Sequence, residues 1–440
     1  MSQKNRRVKP QLLGGFRDYV PEIMISRQRI IDDIRCTFER FGFTPLDTPC
    51  LERSSVLGTD QDEFKMEVYR FMAGDQDISL RFDLTVPLSR VIAAYPEIPK
   101  PFKRYQFGNV WRKERPQAGR FREFAQFDAD IVGSSSILAD TEVIVLMYET
   151  LRSLGLDNFL IRFNNRKILN GLPVVCDFPS EKINDVLRIL DKLEKIGIED
   201  VFQELRQISD LSDKSVTKIE EFLQINGDDE KLLARLKVFF AGVEIAEEGI
   251  SECNQIIKNL NDLNVDSSFR KFDLSIARGL GYYTGPVFET TLTDLPEIGS
   301  VFSGGRYDEL VMRFTGEKIP SVGASVGVDR LIAALERLGK IEHRNSTSRV
   351  LLTIIDEKFS SNIQSLAKEL RSAGINTEIY LGDSLGVKNQ LIYAAKRDIP
   401  FVVFWGEEEN KAGKIKLKDM TRRTEELLTR DGLLAKFLQV

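Results

Sequence analysis

Histidine is almost missing from this sequence. The 440 residues contain one, His343, in GKIEHRNSTSR, a polar stretch that reads as a linker. A Ser-His-Asp triad, a histidine general base and a histidine-rich metal site are all but excluded. Cysteine is nearly as scarce: Cys36, Cys50, Cys176 and Cys253, with no CxxC. That argues against a disulfide scaffold and a cysteine zinc site, and it fits a reducing cytoplasm. No apolar run approaches the ~18 residues of a membrane helix. There is no excess of basic charge, with 62 Lys and Arg against 67 Asp and Glu. Any nucleic-acid role must therefore rest on a local patch. No GxxxxGK[ST] loop and no GxGxxG occurs, so phosphate would not be held in either of those ways. Chemistry is left to Arg, Asp, Glu, Tyr, Gln and Thr, a set suited to stabilising a charged transition state.

The hydrophobic share of 42% and charged share of 29% are those of a globular chain. Residues 1–17 carry five basic side chains and no acid, and Pro10 and Gly14–Gly15 interrupt any helix. They read as a solvated tail rather than a transit peptide. Ile30, Ile31, Ile34, Phe38 and Phe41 recur at helical spacing, which predicts a helix over 23–41 and then a strand over 43–49. Alternation predicts two strands, 102–114 and 121–132, joined by a loop at RPQAGR. A helix is expected over 139–154. Residues 179–265 lack strand alternation and read as an inserted helical unit. Strands resume near Phe272, with a turn expected at Gly304–Gly305. Beyond the linker, apolar strands at 350–355, 375–381 and 401–405 alternate with helices, the pattern of a small parallel α/β domain.

Four constellations could carry chemistry. In the hairpin, Arg112 and Glu114 share one strand face, and Gln126, Asp128 and Asp130 share another. From Lys100 to Glu123 there are eight basic residues and two acids, a patch for a triphosphate or a nucleic-acid end. In ARGLGYYTGPVFE, glycines follow Arg278 and alternate with Tyr282 and Tyr283, giving close backbone approach beside amphipathic walls. In SVGASVGVDRL a glycine-flanked strand runs into a helix whose first turn holds Arg330, an anion-binding combination. In LRFDLTVP, Asp83 and Thr85 on one strand face form a clamp for an ammonium group.

In this order and spacing the elements resemble a class II aminoacyl-tRNA synthetase, specifically the histidyl-tRNA synthetase family. FGNVWRKERPQAGRFREFAQFDADIVG is similar to that family's motif 2, ARGLGYYTGPVFE to its histidine motif, and SVGASVGVDRL to motif 3. The helix over 23–41 and its strand resemble motif 1, the dimer-forming element. VKNQLIYAAKRDIPFVVFWGEEENKAGKIKLKDM resembles its anticodon-binding domain. The resemblance implies an α+β catalytic domain with an antiparallel sheet in two parts, 1–178 and 266–340. It also implies a helical insertion at 179–265 and an α/β anticodon-binding domain at 348–440.

The resemblance also implies a cytoplasmic homodimer with no membrane segment. It would activate L-histidine with ATP and Mg2+ and transfer it to tRNA(His). Arg112 and Arg278 would flank the α-phosphate. Glu114 and Phe124 would hold the adenine, with Arg330 on its other face reaching the γ-phosphate. Asp83 and Thr85 would take the ammonium of histidine, and Gln126, Asp130, Arg278, Tyr282, Tyr283 and Tyr307 would line its pocket. The magnesium ligands are not legible. Gly281 stands where the family commonly has an acid, and Asp130 where Glu is frequent. The alternative reading is a catalytically silent relative, the regulatory subunit of ATP phosphoribosyltransferase. The presence of Arg112, Arg278 and Arg330 and of residues 348–440 argues against it.

Overall fold

The computed structural model describes residues 8–58, 68–113, 121–277 and 282–438. Two compact units emerge. The first joins residues 1–17 to 30–340, and the second joins 18–29 to 341–440.

The strands of the first unit are β1 (Thr44–Pro45), β2 (Leu51–Arg53), β3 (Arg70–Ala73), β4 (Gln76–Leu80), β5 (Phe102–Trp111), β6 (Glu123–Val132), β7 (Phe159–Asn165), β8 (Arg270–Phe272), β9 (Pro286–Leu292), β10 (Ser300–Arg306) and β11 (Ser321–Gly327). Eight of them form one sheet in the order β1-β5-β6-β11-β10-β9-β7-β8, and β2, β4 and β3 form a small separate one. The large sheet is antiparallel through its centre. Only its end pairs, β1 with β5 and β7 with β8, are parallel.

The expected hairpin is its spine. β5 and β6 pair over their full length, from Phe102 opposite Val132 to Trp111 opposite Glu123. Alternation along β6 sorts its side chains. Ala125, Phe127, Ala129 and Ile131 are buried hydrophobics on one side. Phe127 packs there against Phe38 of the helix Pro21–Arg40, with ring centroids 5.0 Å apart. Burial of one such phenylalanine contributes about 1.5–3 kcal/mol. The other side carries Gln126, Asp128 and Asp130.

Register extends the polar face. Asp128 lies opposite Ser325 on β11, Ser325 opposite Ser303 on β10, Ser303 opposite Glu289 on β9, and Glu289 opposite Arg162 on β7. Directly paired residues point to the same face, so one polar row crosses five strands.

The glycine pair Gly304–Gly305 is not the expected turn. Both residues sit inside β10. The reason is steric: a Cβ on Gly304 would overlap the Gly323 carbonyl oxygen, and one on Gly305 would come 2.7 Å from the Pro286 carbonyl and 2.9 Å from the Tyr283 ring. Turn chemistry and close approach both select glycine, and sequence alone does not separate them. The strand expected over 43–49 is reduced to two residues.

Helices run through the region read as an insertion: Ile183–Leu190, Leu193–Ile196, Ile198–Leu205, Asp213–Gln224, Asp229–Phe239 and Glu244–Asp262. β11 runs directly into the helix Val328–Arg337, as its sequence implies.

In the second unit β12 (Val350–Leu352) pairs in parallel with β13 (Thr377–Ile379) and β14 (Phe401–Phe404). The helices Ser360–Ser372 and Val387–Lys396 stand where the alternation puts them. Two further strands, β15 (Ile415–Asp419) and β16 (Thr424–Leu428), add an antiparallel edge. The sheet is mixed rather than purely parallel.

Gly304→Ala is expected to destabilise the first unit by about 1–3 kcal/mol, the usual cost of overfilling a packed site. A thermal melt checks this. An unchanged midpoint would mean that β10 and β11 separate freely.

Candidate active site

A cavity of about 710 Å³ opens over the polar face of the sheet. It is lined by Asp83, Thr85, Arg112, Phe124, Gln126, Asp130, Tyr282, Tyr283, Tyr307 and Arg330. These are ten of the candidate residues. The other two, Glu114 and Arg278, lie outside the described residues, as does Gly281.

Asp83 and Thr85 do not share a strand face. Thr85 is the first residue of the helix Thr85–Ala94, and Asp83 precedes it. The Asp83 Oδ1 accepts the Val86 N–H at 3.0 Å. A carboxylate satisfying a first-turn donor ends the extended segment and starts the helix. Both side chains still reach the cavity, although by a different local structure from the one their alternation implies.

The β6 acids differ in their surroundings. Asp130 Oδ1 accepts the Tyr307 hydroxyl, and Asp130 Oδ2 lies 2.7 Å from the Arg104 guanidinium. Arg104 is fully buried and also donates to the Leu84 carbonyl at 3.1 Å. Gly323 opposite Asp130 leaves the space its carboxylate fills. Gln126 Nε2 donates to Ser325 Oγ at 2.6 Å. Three buried acceptors then have neither a hydrogen-bond nor an ion-pair partner, Asp83 Oδ2, Gln126 Oε1 and Asp128 Oδ1, while Asp130 Oδ2 has the Arg104 ion pair alone. A buried unpaired acceptor is costly, and three around one cavity call for a ligand rich in donors.

Burial governs the titration of this wall. It pushes Asp83 up to about 6, against the opposing pull of the Val86 N–H and of Arg112 and Arg104. It pushes Asp128 up to about 7, against Arg104, with Asp130 adding to the rise. Asp130 also moves up, again through burial, opposed by Arg104 and the Tyr307 hydrogen bond. The phenols of Tyr282, Tyr283 and Tyr307 are raised chiefly by burial and stay neutral donors. Tyr282 stands 5.0 Å from Tyr283 and 6.0 Å from Tyr307, centroid to centroid, forming an aromatic wall.

On another wall the Arg112 guanidinium lies 5.2 Å from the Phe124 ring centroid and donates to the Phe82 carbonyl at 3.1 Å. Arg330, in the first turn of the helix Val328–Arg337, donates to the Ser300 carbonyl. Its neighbour Asp329 accepts the Ala125 N–H at 2.7 Å and pairs with Arg17 at 2.6 Å. Arg17 stands 4.1 Å over the Phe121 ring, and the Arg122 N–H donates to the Gly15 carbonyl at 2.8 Å. The tail reading of residues 1–17 therefore fails at 14–17. A single long-range acid, invisible to local pattern, ties them down.

Several lining residues go beyond the sequence candidates. Glu289, 3.2 Å from Arg162, closes the stretch ARGLGYYTGPVFE but is not singled out within it. Asn184, Asp185, Arg188 and Asp191, from the helical region, are others. Parity places Asp128 on the cavity face, but the Ser325 hydroxyl that bonds it, and the Oδ1 left without a partner, depend on what β11 brings.

Residues 15–331 match the family model described as histidyl-tRNA synthetase, and 349–439 match the one described as anticodon binding domain. The chain belongs to the histidyl-tRNA synthetase family. A histidine–tRNA ligase of Wolinella succinogenes is 43% identical over 420 residues, 94% of each chain. One from Helicobacter pylori strain HPAG1 is 41% identical over 424 residues, again 94% of each. The crystal structure of histidyl-tRNA synthetase from Nostoc sp. PCC 7120 superposes with a TM-score of 0.88 at 32% identity, over 98% of this chain and all of that one. The fold is thus the class II synthetase fold with a carboxy-terminal anticodon-binding domain. Ligases at this identity along nearly the whole chain do not favour the regulatory-subunit reading. The cavity lies over the paired strands β6 and β11 of this fold.

Asp128 gives a pH test on the ligand-free protein. Its carboxyl ionises near 4 in the unfolded chain and at about 7 when folded. A raised folded value means that its stabilising contribution is full below pH 4 and is lost as pH rises through 7. Asp128→Asn should therefore raise the thermal midpoint more at pH 8 than at pH 5. Equal shifts at both pH values would contradict an uncompensated buried charge.

Proposed function

We propose that the cavity activates L-histidine with ATP, forming histidyl-adenylate and pyrophosphate, and then passes the histidyl group to the 3′ end of tRNA(His). Membership of the family makes the chain an aminoacyl-tRNA ligase with ATP as a substrate. The observation that carries the residue-level reading is the set of unpartnered buried acceptors, Asp83 Oδ2, Gln126 Oε1 and Asp128 Oδ1, on a cavity that also holds Arg112 and Arg330. An ammonium group and an imidazole supply the donors this wall lacks, and the arginines suit phosphate.

In this reading the substrate carboxylate attacks the α-phosphorus of ATP in line and pyrophosphate leaves. No protein nucleophile is needed, so a chain with one histidine poses no difficulty. Asp83 and Thr85 hold the ammonium. Gln126, Asp130, Tyr282, Tyr283 and Tyr307 shape the amino-acid pocket. Arg112 meets the charge gathering on the α-phosphate, and Arg278 is assigned the opposite flank. Phe124, with Glu114 and the hairpin loop, holds the adenine from one side. Arg330 covers the other and reaches the γ-phosphate. In transfer, the terminal ribose hydroxyl of tRNA attacks the adenylate carbonyl and AMP leaves. Catalysis is then alignment plus electrostatic stabilisation.

Magnesium, when bound, would neutralise phosphate charge and align the triphosphate. Among the described residues there is no group of three or more His, Cys, Asp or Glu able to hold a metal.

We assign residues 1–178 and 266–340 to catalysis, 179–265 to a helical insertion and 348–440 to anticodon binding. A homodimer is part of the reading, supported by Leu51, Phe71 and Met72, which leave apolar side chains exposed on the small sheet. Cytoplasmic residence is supported by four free cysteines. Among the described residues no helix is long and apolar enough to cross a membrane.

Pyrophosphate exchange with each of the twenty amino acids tests the substrate, and only histidine should support it. Arg112→Ala should lower the exchange rate about 10²–10³-fold, the usual loss for one donor to developing charge. Near-normal exchange would remove Arg112 from the chemistry. Asp83→Ala should raise the KM for histidine ~10-fold or more, as expected for a hydrogen bond between charged groups, and leave that for ATP nearly unchanged. Equal rises in both would argue against an ammonium clamp.

A further inference from the structure

Gly14, Gly15 and Arg17 are tied to the ends of the hairpin strands in three ways. The Arg122 N–H donates to the Gly15 carbonyl at 2.8 Å, and the Arg112 N–H donates to the Arg122 carbonyl at 2.9 Å. The segment thus extends the row of backbone hydrogen bonds that holds Arg112 and Arg122 together. The Arg122 guanidinium donates to the Gly14 carbonyl at 3.0 Å. Arg17 then meets two side chains that line the cavity. Its guanidinium lies 4.1 Å over the Phe121 ring and 2.6 Å from Asp329 Oδ1. Asp329 is only 2% exposed, and its other oxygen accepts the Ala125 N–H at 2.7 Å, one residue from Phe124.

A carboxylate in this place works against the ligand. Asp329 and Arg330 both line the cavity, and Arg330 is the residue assigned to the γ-phosphate. Without a countercharge, Asp329 would repel the triphosphate and compete with it for Arg330. Asp329 cannot simply be dispensed with, because it satisfies the buried Ala125 N–H. We propose that Arg17 is a positioning residue for ATP: it neutralises Asp329, leaving the charge of Arg330 for the triphosphate, and it fixes the Phe121 ring on the cavity wall. This rests on the proposed function and deepens it. Losing one member of a buried ion pair leaves the other as an uncompensated charge, so the effect of Arg17 passes through Asp329. The amino acid is assigned to the wall of Asp83 and the tyrosines, so Arg17 bears on ATP and spares histidine.

The test measures KM for ATP and for histidine by pyrophosphate exchange in the full chain. Arg17→Ala should raise the KM for ATP about tenfold or more and keep that for histidine within about twofold, the loss expected of one interaction between charged groups. Arg17→Gln keeps a donor for Asp329 and removes the charge. It should show the same split, which covers the case in which the alanine variant does not fold. The deciding measurement adds Asp329→Asn to each. An asparagine oxygen still accepts the Ala125 N–H, and no charge is left to answer, so the KM for ATP should return to within about threefold of wild type. A merely structural role predicts the reverse, a second substitution that adds to the damage. If the two KM values shift together in the Arg17 variants, or if Asp329→Asn deepens the defect, the assignment is overturned while the functional reading stands. If wild type shows no exchange with histidine, both fall.

Discussion

The site depends on three carboxylates buried against a single fully buried guanidinium. Arg104 lies beneath the cavity, holds Asp130, and reaches the Leu84 carbonyl next to Asp83. Every other feature of the pocket follows from how that charge deficit is arranged. The phenols of Tyr282, Tyr283 and Tyr307 cannot compensate, because they remain neutral. Of the described arginines on the cavity, Arg112 opposes the rise of Asp83 from the wall it shares with Phe124, and Arg330 is turned toward the Ser300 carbonyl. What the protein leaves unmatched, a cationic amino acid can match. Binding energy is thereby concentrated on the substrate that carries the missing donors.

The sheet makes this arrangement possible because its two faces do different work. Phe127 and its alanine neighbours anchor β6 to the helix Pro21–Arg40, while Gln126, Asp128 and Asp130 are lifted into the cavity by the same strand. Burying acids next to a packed apolar layer withholds water from them, which is why Asp128 and Asp83 titrate so late. Rigid strands also fix the spacing of the acceptors. A loop would let them relax toward solvent and escape their own desolvation.

Much of this was legible in the sequence, and the reasons differ by element. Strand parity on 121–132 put three polar residues on one face, and the structure keeps them there. Helical spacing found the helix that carries Phe38 within two residues at its start and one at its end. The glycine-flanked strand before Val328 and the position of Arg330 also held. The failures have a common cause. Gly304 and Gly305 answer to a carbonyl and a ring brought by other strands. Asp83 answers to a helix N–H that short alternation hides. Arg17 answers to Asp329, more than three hundred residues away. Local pattern reports what a residue does to its neighbours in sequence and is silent on partners that only the fold supplies. Arg278 and Glu114 are proposed as site residues from their motifs alone, and both lie outside the described residues.

The near absence of histidine from an enzyme of this family is consistent with its chemistry. Attack by a carboxylate on a phosphorus needs no general base, since the nucleophile is already ionised at neutral pH. The demand is for positive charge and alignment, which arginine meets without titrating. The imidazole that matters is the one the substrate brings. A pocket that recognises it must therefore present acceptors and anions, and must keep them dry so that a ligand lacking the ring pays in full for leaving them unmet. In the proposed reading the buried acids on β6 and at Asp83 do this, and the same burial that keeps them dry raises their affinity for protons.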